Sequence, residues 1–226
     1  MCGRYSISKK AREIGDHFRV IIPPDFQGQV YNAAPTQFLP VIAMDQPSHL
    51  QMFQWGLSAP WENFAGESAP VINARSESLR EKKMFNSLLD TQRCIIPADG
   101  FFEWEKAGRI KQPWRFQLKN EDLFAFAGLF NQTRETDGSL RFSFSIITTR
   151  ANSLLDGIHN RMPVILDRES HKKWFSETNW NKLEDILQPY PANKMNRFKV
   201  SPKVNSAAVN LPELILPWQD PNLTLF

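Results

Sequence analysis

Short runs dominated by apolar, β-branched and aromatic residues recur along the chain: "FLPVIA", "LQMFQW", "PWRFQL", "LFAFAGLF", "FSFSIITT" and "MPVIL". Runs of this length and composition predict strands. Helical periodicity is rarer. Ser8 is placed to cap a helix presenting Ala11, Ile14 and Phe18, and "RESHKKWF" and "KLEDILQ" predict two more helices. The 16 prolines are scattered as punctuation, and no repeat or low-complexity tract interrupts the pattern. The sum predicts an α+β fold with a mainly antiparallel β-sheet core and peripheral helices. A chain of 226 residues suits one large domain or two small ones; nothing inside it reads as a linker, so one domain is expected.

Composition supplies the material for a core: 42% of residues are hydrophobic, with 17 Phe and 7 Trp. No apolar run approaches the length of a membrane span, so no membrane partner is expected. The start has no charged region followed by an apolar one, as a secretory signal would, and two cysteines are too few for a disulfide framework. A reducing, cytoplasmic setting is therefore expected. The net charge of +3, from 27 basic and 24 acidic residues, does not by itself imply a polyanionic partner, so any nucleic-acid contact must be local.

Four segments place polar or titratable residues inside apolar surroundings: "MCGRY", "VINARSES", "ADGFFEWEK" and "DGIHNRMPVIL". Methionine before a small residue is commonly trimmed, which would leave Cys2 first and create a 1,2-aminothiol. With reference pKa values of about 7.7–8.0 for the amine and about 8.5 for the thiol, an appreciable fraction of each is expected to be nucleophilic near neutral pH. A lone strand glutamate belongs on an exposed face, but Phe101, Phe102 and Trp104 crowd Glu103, and a desolvated carboxyl has a raised pKa suited to moving protons at neutral pH. His159 alone reads as a surface imidazole, Asn73 as a turn residue, and Arg75 and Arg161 as ion-pair partners. Cys2, Cys94 and the four histidines are too dispersed for a zinc site, so no metal or cofactor is expected, and Cys94 reads as a buried strand residue. The chain has no glycine-rich phosphate loop and no nucleophile elbow.

Taken in order, "MCGRY", "YNAAPT", "QWGLSAPW", "INARSES", "IIPADGFFEW", "IITTRAN", "IHNRMPVIL" and "VSPKVNSAAVNLPELI" resemble the SRAP (SOS response-associated peptidase) family, which acts on abasic sites in single-stranded DNA. The resemblance implies a single SRAP-type catalytic domain over residues 1–217 and maps a catalytic set onto Cys2, Asn73, Glu103 and His159. It implies that Met1 leaves, autocatalytically in the family, and that the aminothiol forms a thiazolidine with the ring-opened sugar, giving a covalent DNA-protein crosslink that shields the lesion. In that scheme Glu103 shuttles protons and holds the α-amine, His159 assists ring opening and release, and Asn73 orients the aminothiol or sugar hydroxyls. Possible lyase activity comes with the same chemistry.

For DNA binding the resemblance points to Arg4, Asn32, Pro35, Trp61, Arg75, Thr148 and Arg161, with arginines on phosphates and flat side chains beneath splayed bases. Some relatives have two adjacent tryptophans where this chain reads "APWENF", which leaves Trp61 open between a stacking wedge and a core residue. The tail, residues 218–226, ends "NLTLF" and is similar to the short peptide by which bacterial replication proteins dock on the sliding clamp, with Asn222 for Gln. Leu223, Leu225 and Phe226 would fill the clamp's apolar pocket, unless the tail folds back onto its own domain. A monomer in a bacterial cytoplasm, nucleoid-associated when on DNA, is expected. Two rivals remain open: an N-terminal cysteine amidohydrolase, since glutamine amidotransferases of that type also begin Met-Cys-Gly, and a noncovalent single-stranded DNA reader.

Overall fold

The computed structural model describes residues 2–57, 70–107, 110–120 and 123–219. Its architecture follows from two sheets that share one core. The smaller sheet is built from β1 (Tyr5–Lys10), β2 (Gly28–Ala33), β7 (Gly100–Ala107), β8 (Ile110–Leu118) and β13 (Met195–Lys199), in the order β13-β8-β7-β1-β2. The larger holds β3 (Phe38–Ala43), β4 (Leu50–Trp55), β5 (Asn73–Arg75), β6 (Arg93–Ala98), β9 (Phe124–Arg134), β10 (Leu140–Arg150), β11 (Arg161–Pro163) and β12 (Ile165–Leu166). Within it β10, β4, β3, β6 and β9 pair in a closed ring, because β9 also pairs with β10. A ring has no open edge, which leaves edges only to its appended short strands.

Pairing is antiparallel except where β10 runs parallel to β4 and β5. The six apolar runs all fall in strands, but "MPVIL" is divided between two. Met162 and Pro163 pair with β10, whereas Ile165 and Leu166 pair with β9. Val164 links the two, donating to Ile147 O and accepting from Ala127 N. Pro40 lies within β3, where β6 joins only at Ile42 and Ala43, so its missing N–H interrupts no β3–β6 ladder.

The helices are peripheral: α1 (Ala11–Phe18), α2 (Lys83–Asn86), α3 (Arg168–Ser176) and α4 (Trp180–Ile186). Ile14 of α1 is fully buried, with Ala11 and Phe18 packed beside it. Ser8 does not cap this helix. The carboxylate of Glu13 accepts the Lys10 N–H instead, and the Ser8 hydroxyl donates to Asp99, the residue between β6 and β7. Trp174 of α3 is fully buried, and its indole N–H donates to Cys94 O at 3.0 Å. Cys94 is itself buried and free, as its strand context predicts.

The two sheets enclose a cluster that contains Cys2, Tyr5, Trp55, Phe101, Phe116, Phe126 and Phe144. Tyr5 meets Trp55 and Phe126 edge to face, at centroid separations of 5.3 and 5.6 Å. The chain's beginning is thus a core element. It is held there by Asp99, whose carboxylate accepts from Ser6 Oγ at 2.6 Å, Ser8 Oγ at 2.6 Å, the Ser8 backbone N–H, and Arg115 Nη2 at 2.9 Å. Both charged side chains are about 95% buried or more, at 5% exposure for Arg115 and 3% for Asp99.

Removing one partner of a buried pair leaves the other uncompensated. Asp99→Ala is therefore expected to destabilise the fold by about 3–5 kcal/mol, read as a lower urea midpoint; a loss below about 1 kcal/mol would show that Arg115 is rehydrated at little cost.

Candidate active site

Strand register brings the scattered segments together. In the β1–β7 pair Tyr5 lies opposite Phe101 and Ser6 opposite Gly100, and Phe102 N donates to Arg4 O at 3.0 Å. Continued by two residues, this register sets Glu103 opposite Gly3, beside Cys2. On the other sheet Asn73 lies opposite Ile146 and Arg75 opposite Thr148, while Arg161 starts the strand on the other flank of β10, opposite Arg150. The sheets meet where Asn73 Nδ2 donates to the backbone carbonyl of Cys2 at 3.0 Å. Asn73 Oδ1 is buried with no hydrogen-bond partner among the described residues.

Cys2 has no exposed surface, and its sulfur makes a weak 3.7 Å contact with Arg4 O. Burial pushes the thiol pKa well above its ordinary value; Glu103 adds to the rise, and the positive amino terminus opposes it. That shift belongs to the chain with Met1 in place, whereas the expected thiolate is that of the chain after Met1 has left. Glu103 is 3% exposed, and burial raises its carboxyl pKa to about 7 against the opposing amino-terminal charge. The aromatic surroundings differ from the sequence expectation in detail. Strand alternation puts Glu103 on the same face as Phe101, opposite Trp114 on β8, whereas Phe102 and Trp104 pack behind the sheet with Val200, Val204 and Leu214.

His159 lies just before β11. Its Nδ1 accepts the Arg161 backbone N–H at 3.0 Å and is 3.2 Å from that residue's carbonyl oxygen. With Nδ1 accepting, a neutral ring carries its proton on Nε2. Arg161 Nη2 reaches the carbonyl and, at 3.2 Å, the hydroxyl of Thr148, and its two terminal nitrogens hold Glu77. Arg75 is exposed at the end of β5.

Arg4 Nη1 donates to Asn32 Oδ1 at 2.9 Å and Val204 O at 2.7 Å, and Nη2 to Asn205 O at 3.1 Å. The Asn32 amide donates in turn to Ser206 O and Val209 O, both at 2.9 Å. Asn32, at 1% exposure, and Thr148, at 0%, thus present almost no surface, and their polar atoms support Arg4 and Arg161. Pro35 sits half-buried in the turn between β2 and β3. Trp61, Met1 and the tail residues Leu223, Leu225 and Phe226 lie outside the described residues.

Sequence reading missed Glu77, although it stands inside "INARSES". Its partner is 84 residues away, and no spacing rule connects them. It also missed Asp99, whose Asp-Gly sequence signals a turn but gives no sign of four donors. Among the described residues no group of His, Cys, Asp and Glu side chains gathers as a metal site, and no helix is long and apolar enough to cross a membrane.

The sequence profile described as SOS response associated peptidase (SRAP) matches residues 1–207. The chain is 40% identical over 221 residues to the Bacillus subtilis abasic site processing protein YoqW, covering 95% of this chain and 99% of that one. It is 31% identical over 227 residues to Escherichia coli abasic site processing protein YedK, covering 96% and 100%. A crystal structure of a Bacteroides thetaiotaomicron protein superposes with a TM-score of 0.89 at 27% identity, covering 96% of this chain and all of that one. Profile, relatives and fold agree over nearly the whole length: the chain belongs to the SRAP family.

Proposed function

We propose that this protein captures abasic sites in single-stranded DNA as a thiazolidine formed by Cys2 after Met1 is removed. The observation that carries the reading is the junction of Asn73, Cys2 and Glu103: a fixed carbonyl at the chain's beginning, beside a buried carboxyl that titrates near neutrality. The names of the relatives, abasic site processing proteins, support the same substrate.

The chemistry begins at the α-amine that removal of Met1 frees on Cys2. The α-amine attacks the aldehyde carbon of the ring-opened deoxyribose; the carbonyl oxygen leaves as water, and an imine forms. The sulfur then adds to the imine carbon while its proton passes to the imine nitrogen, closing the five-membered ring. Glu103 carries protons in both steps, accepting from the amine or thiol as carboxylate and returning them as the acid. His159, with its proton on Nε2, assists sugar ring opening and, in reverse, release. Asn73 fixes the backbone from which the aminothiol projects. Arg75 and Arg161 receive the flanking phosphates, Arg4 braces the chain's beginning, Asn32 holds Arg4 and Thr148 holds Arg161.

Intact mass spectrometry with a single-stranded oligonucleotide bearing one abasic site tests the reading. The Met1-free chain is expected to gain the oligonucleotide mass less one water, and Cys2→Ala to form no stable adduct, though borohydride should trap an imine on its new N-terminus. A Met1-free chain that gains no mass favours noncovalent DNA reading, and glutamine hydrolysis through a thioester would favour the amidohydrolase.

Glu103→Gln is expected to slow crosslinking on the order of 10²-fold and to flatten a rate limb that rises through about pH 7 in the parent; a parent-like rate would remove Glu103 from the mechanism. The same substitution reports on stability. The folded-state pKa of about 7 exceeds the unfolded glutamate value of about 4.3, so between them the folded state keeps a proton that the unfolded state has lost. Stability from this residue falls as pH rises through that window. Urea unfolding should therefore show Glu103→Gln gaining on the parent between about pH 4 and about pH 7.

Arg75→Ala should weaken binding to an oligonucleotide carrying a tetrahydrofuran abasic analogue, which lacks the aldehyde. The slope of log affinity against log salt should fall by about 0.7; an unchanged slope would show that Arg75 meets no phosphate.

A further inference from the structure

Arg161 already holds an anionic ligand. Its Nη1 lies 2.7 Å from Glu77 Oε1 and its Nη2 2.9 Å from Oε2, a fork-to-fork pair in which one carboxylate fills the planar face that arginine offers to a phosphate. Nη2 also serves Thr148, and Nε is buried with no partner among the described residues. The arginine therefore has no second fork to offer.

The two partners are unequally held. The Arg161 side chain is 12% exposed and tied to β10 through Thr148, whereas Glu77 is 56% exposed on the single 3-10 turn Ser76–Ser78 that follows β5. Beside that turn is a cavity of about 150 Å³ lined by Ser76, Glu77, Thr149 and Arg150 among others. The acid has room to leave, and a second cation, Arg150, shares the wall of that cavity with an acid, Glu184. The Arg161 hydrogen bond, chief among the causes, holds the Glu77 carboxyl below its ordinary pKa, so the carboxylate stays charged at neutral pH.

We infer that Glu77 occupies the place of a DNA phosphate on Arg161 and is expelled when single-stranded DNA binds, an inference that rests on the DNA reading above. Arg161 and Arg75 would then differ in what a phosphate gains there. A free arginine that meets a phosphate releases one condensed counterion. At Arg161 the same release occurs, but the phosphate must also displace the carboxylate, so part of the contact is offset by the broken Glu77 pair. Glu77 thereby weakens the hold on any single strand without touching the aldehyde chemistry at Cys2.

The experiment measures equilibrium binding of the tetrahydrofuran oligonucleotide across a salt series for the parent, Glu77→Gln, Arg161→Gln and the double variant. Glu77→Gln is expected to bind roughly two- to fivefold tighter at low salt, with the salt slope near the parent's, since the same phosphates are neutralised. The gain should vanish when Arg161→Gln is added. Glu77→Asp, one methylene shorter, should fall between, and thermal melting checks that each variant is folded. Weaker or unchanged binding by Glu77→Gln would overturn the inference and make Glu77 a support for Arg161. A gain that persists in the double variant would also overturn it, since the effect would then be the loss of one negative charge anywhere near the strand. Folded parent protein that fails to bind the oligonucleotide would instead overturn the DNA reading, and this inference with it.

Discussion

The site depends on one buried carboxylate that takes no part in its chemistry. Asp99 collects donors from Ser6 and Ser8 on one strand and from Arg115 two strands away. It thereby fixes how far β1 slides along β7, and that register decides what faces the chain's beginning. A slip of one residue would turn Tyr5 out of the core and move Glu103 from beside Cys2. Gly100 is part of the same device: a Cβ there would lie 2.7–2.8 Å from the Arg115 guanidinium, which lies across the backbone at that point. The Asp-Gly pair that looks like a turn signal is a seat for a buried ion pair.

Much of the fold was legible because strands of this kind announce themselves by composition. "FLPVIA" and "LQMFQW" are β3 and β4 from end to end. "MPVIL" was legible as strand but not as two strands, since composition says nothing about which neighbour each half pairs with. Ser8 shows a different failure: β1 runs on to Lys10, which is the residue before α1, so Ser8 stays in the strand and its hydroxyl donates to Asp99, 91 residues away. The catalytic candidates stood out as polar residues in apolar segments, a signal of burial. Their mutual placement did not, because it is set by pairing between segments remote in sequence. The Glu77–Arg161 pair is the sharpest case, with one residue hidden inside a segment singled out for its neighbours.

The electrostatics bear on the chemistry proposed above. A thiol held neutral by burial is protected from indiscriminate oxidation and alkylation, and Glu103, whose carboxyl titrates far below it, takes its proton only once something lowers the thiol's pKa. Glu103 shares a face with Phe101, and the charge it would carry is disfavoured by the same enclosure that raises the Cys2 pKa. The positive amino terminus opposes both shifts. In the proposed chemistry, removal of Met1 moves that charge onto Cys2 itself, and reaction at the nitrogen would change the balance that both neighbours sense.

Arg4 hydrogen-bonds Val204, 200 residues further along the chain, and Asn32 bonds Val209. Both ends of the polypeptide must therefore be present before the beginning is fully enclosed. During synthesis the first residues emerge long before β7 or the 202–205 turn that will cover them, and Cys2, which has no exposed surface in the folded chain, stays open to solvent for that interval. In the removal of Met1 proposed above, the time of chain closure would separate an external aminopeptidase, acting before it, from self-cleavage, acting after it.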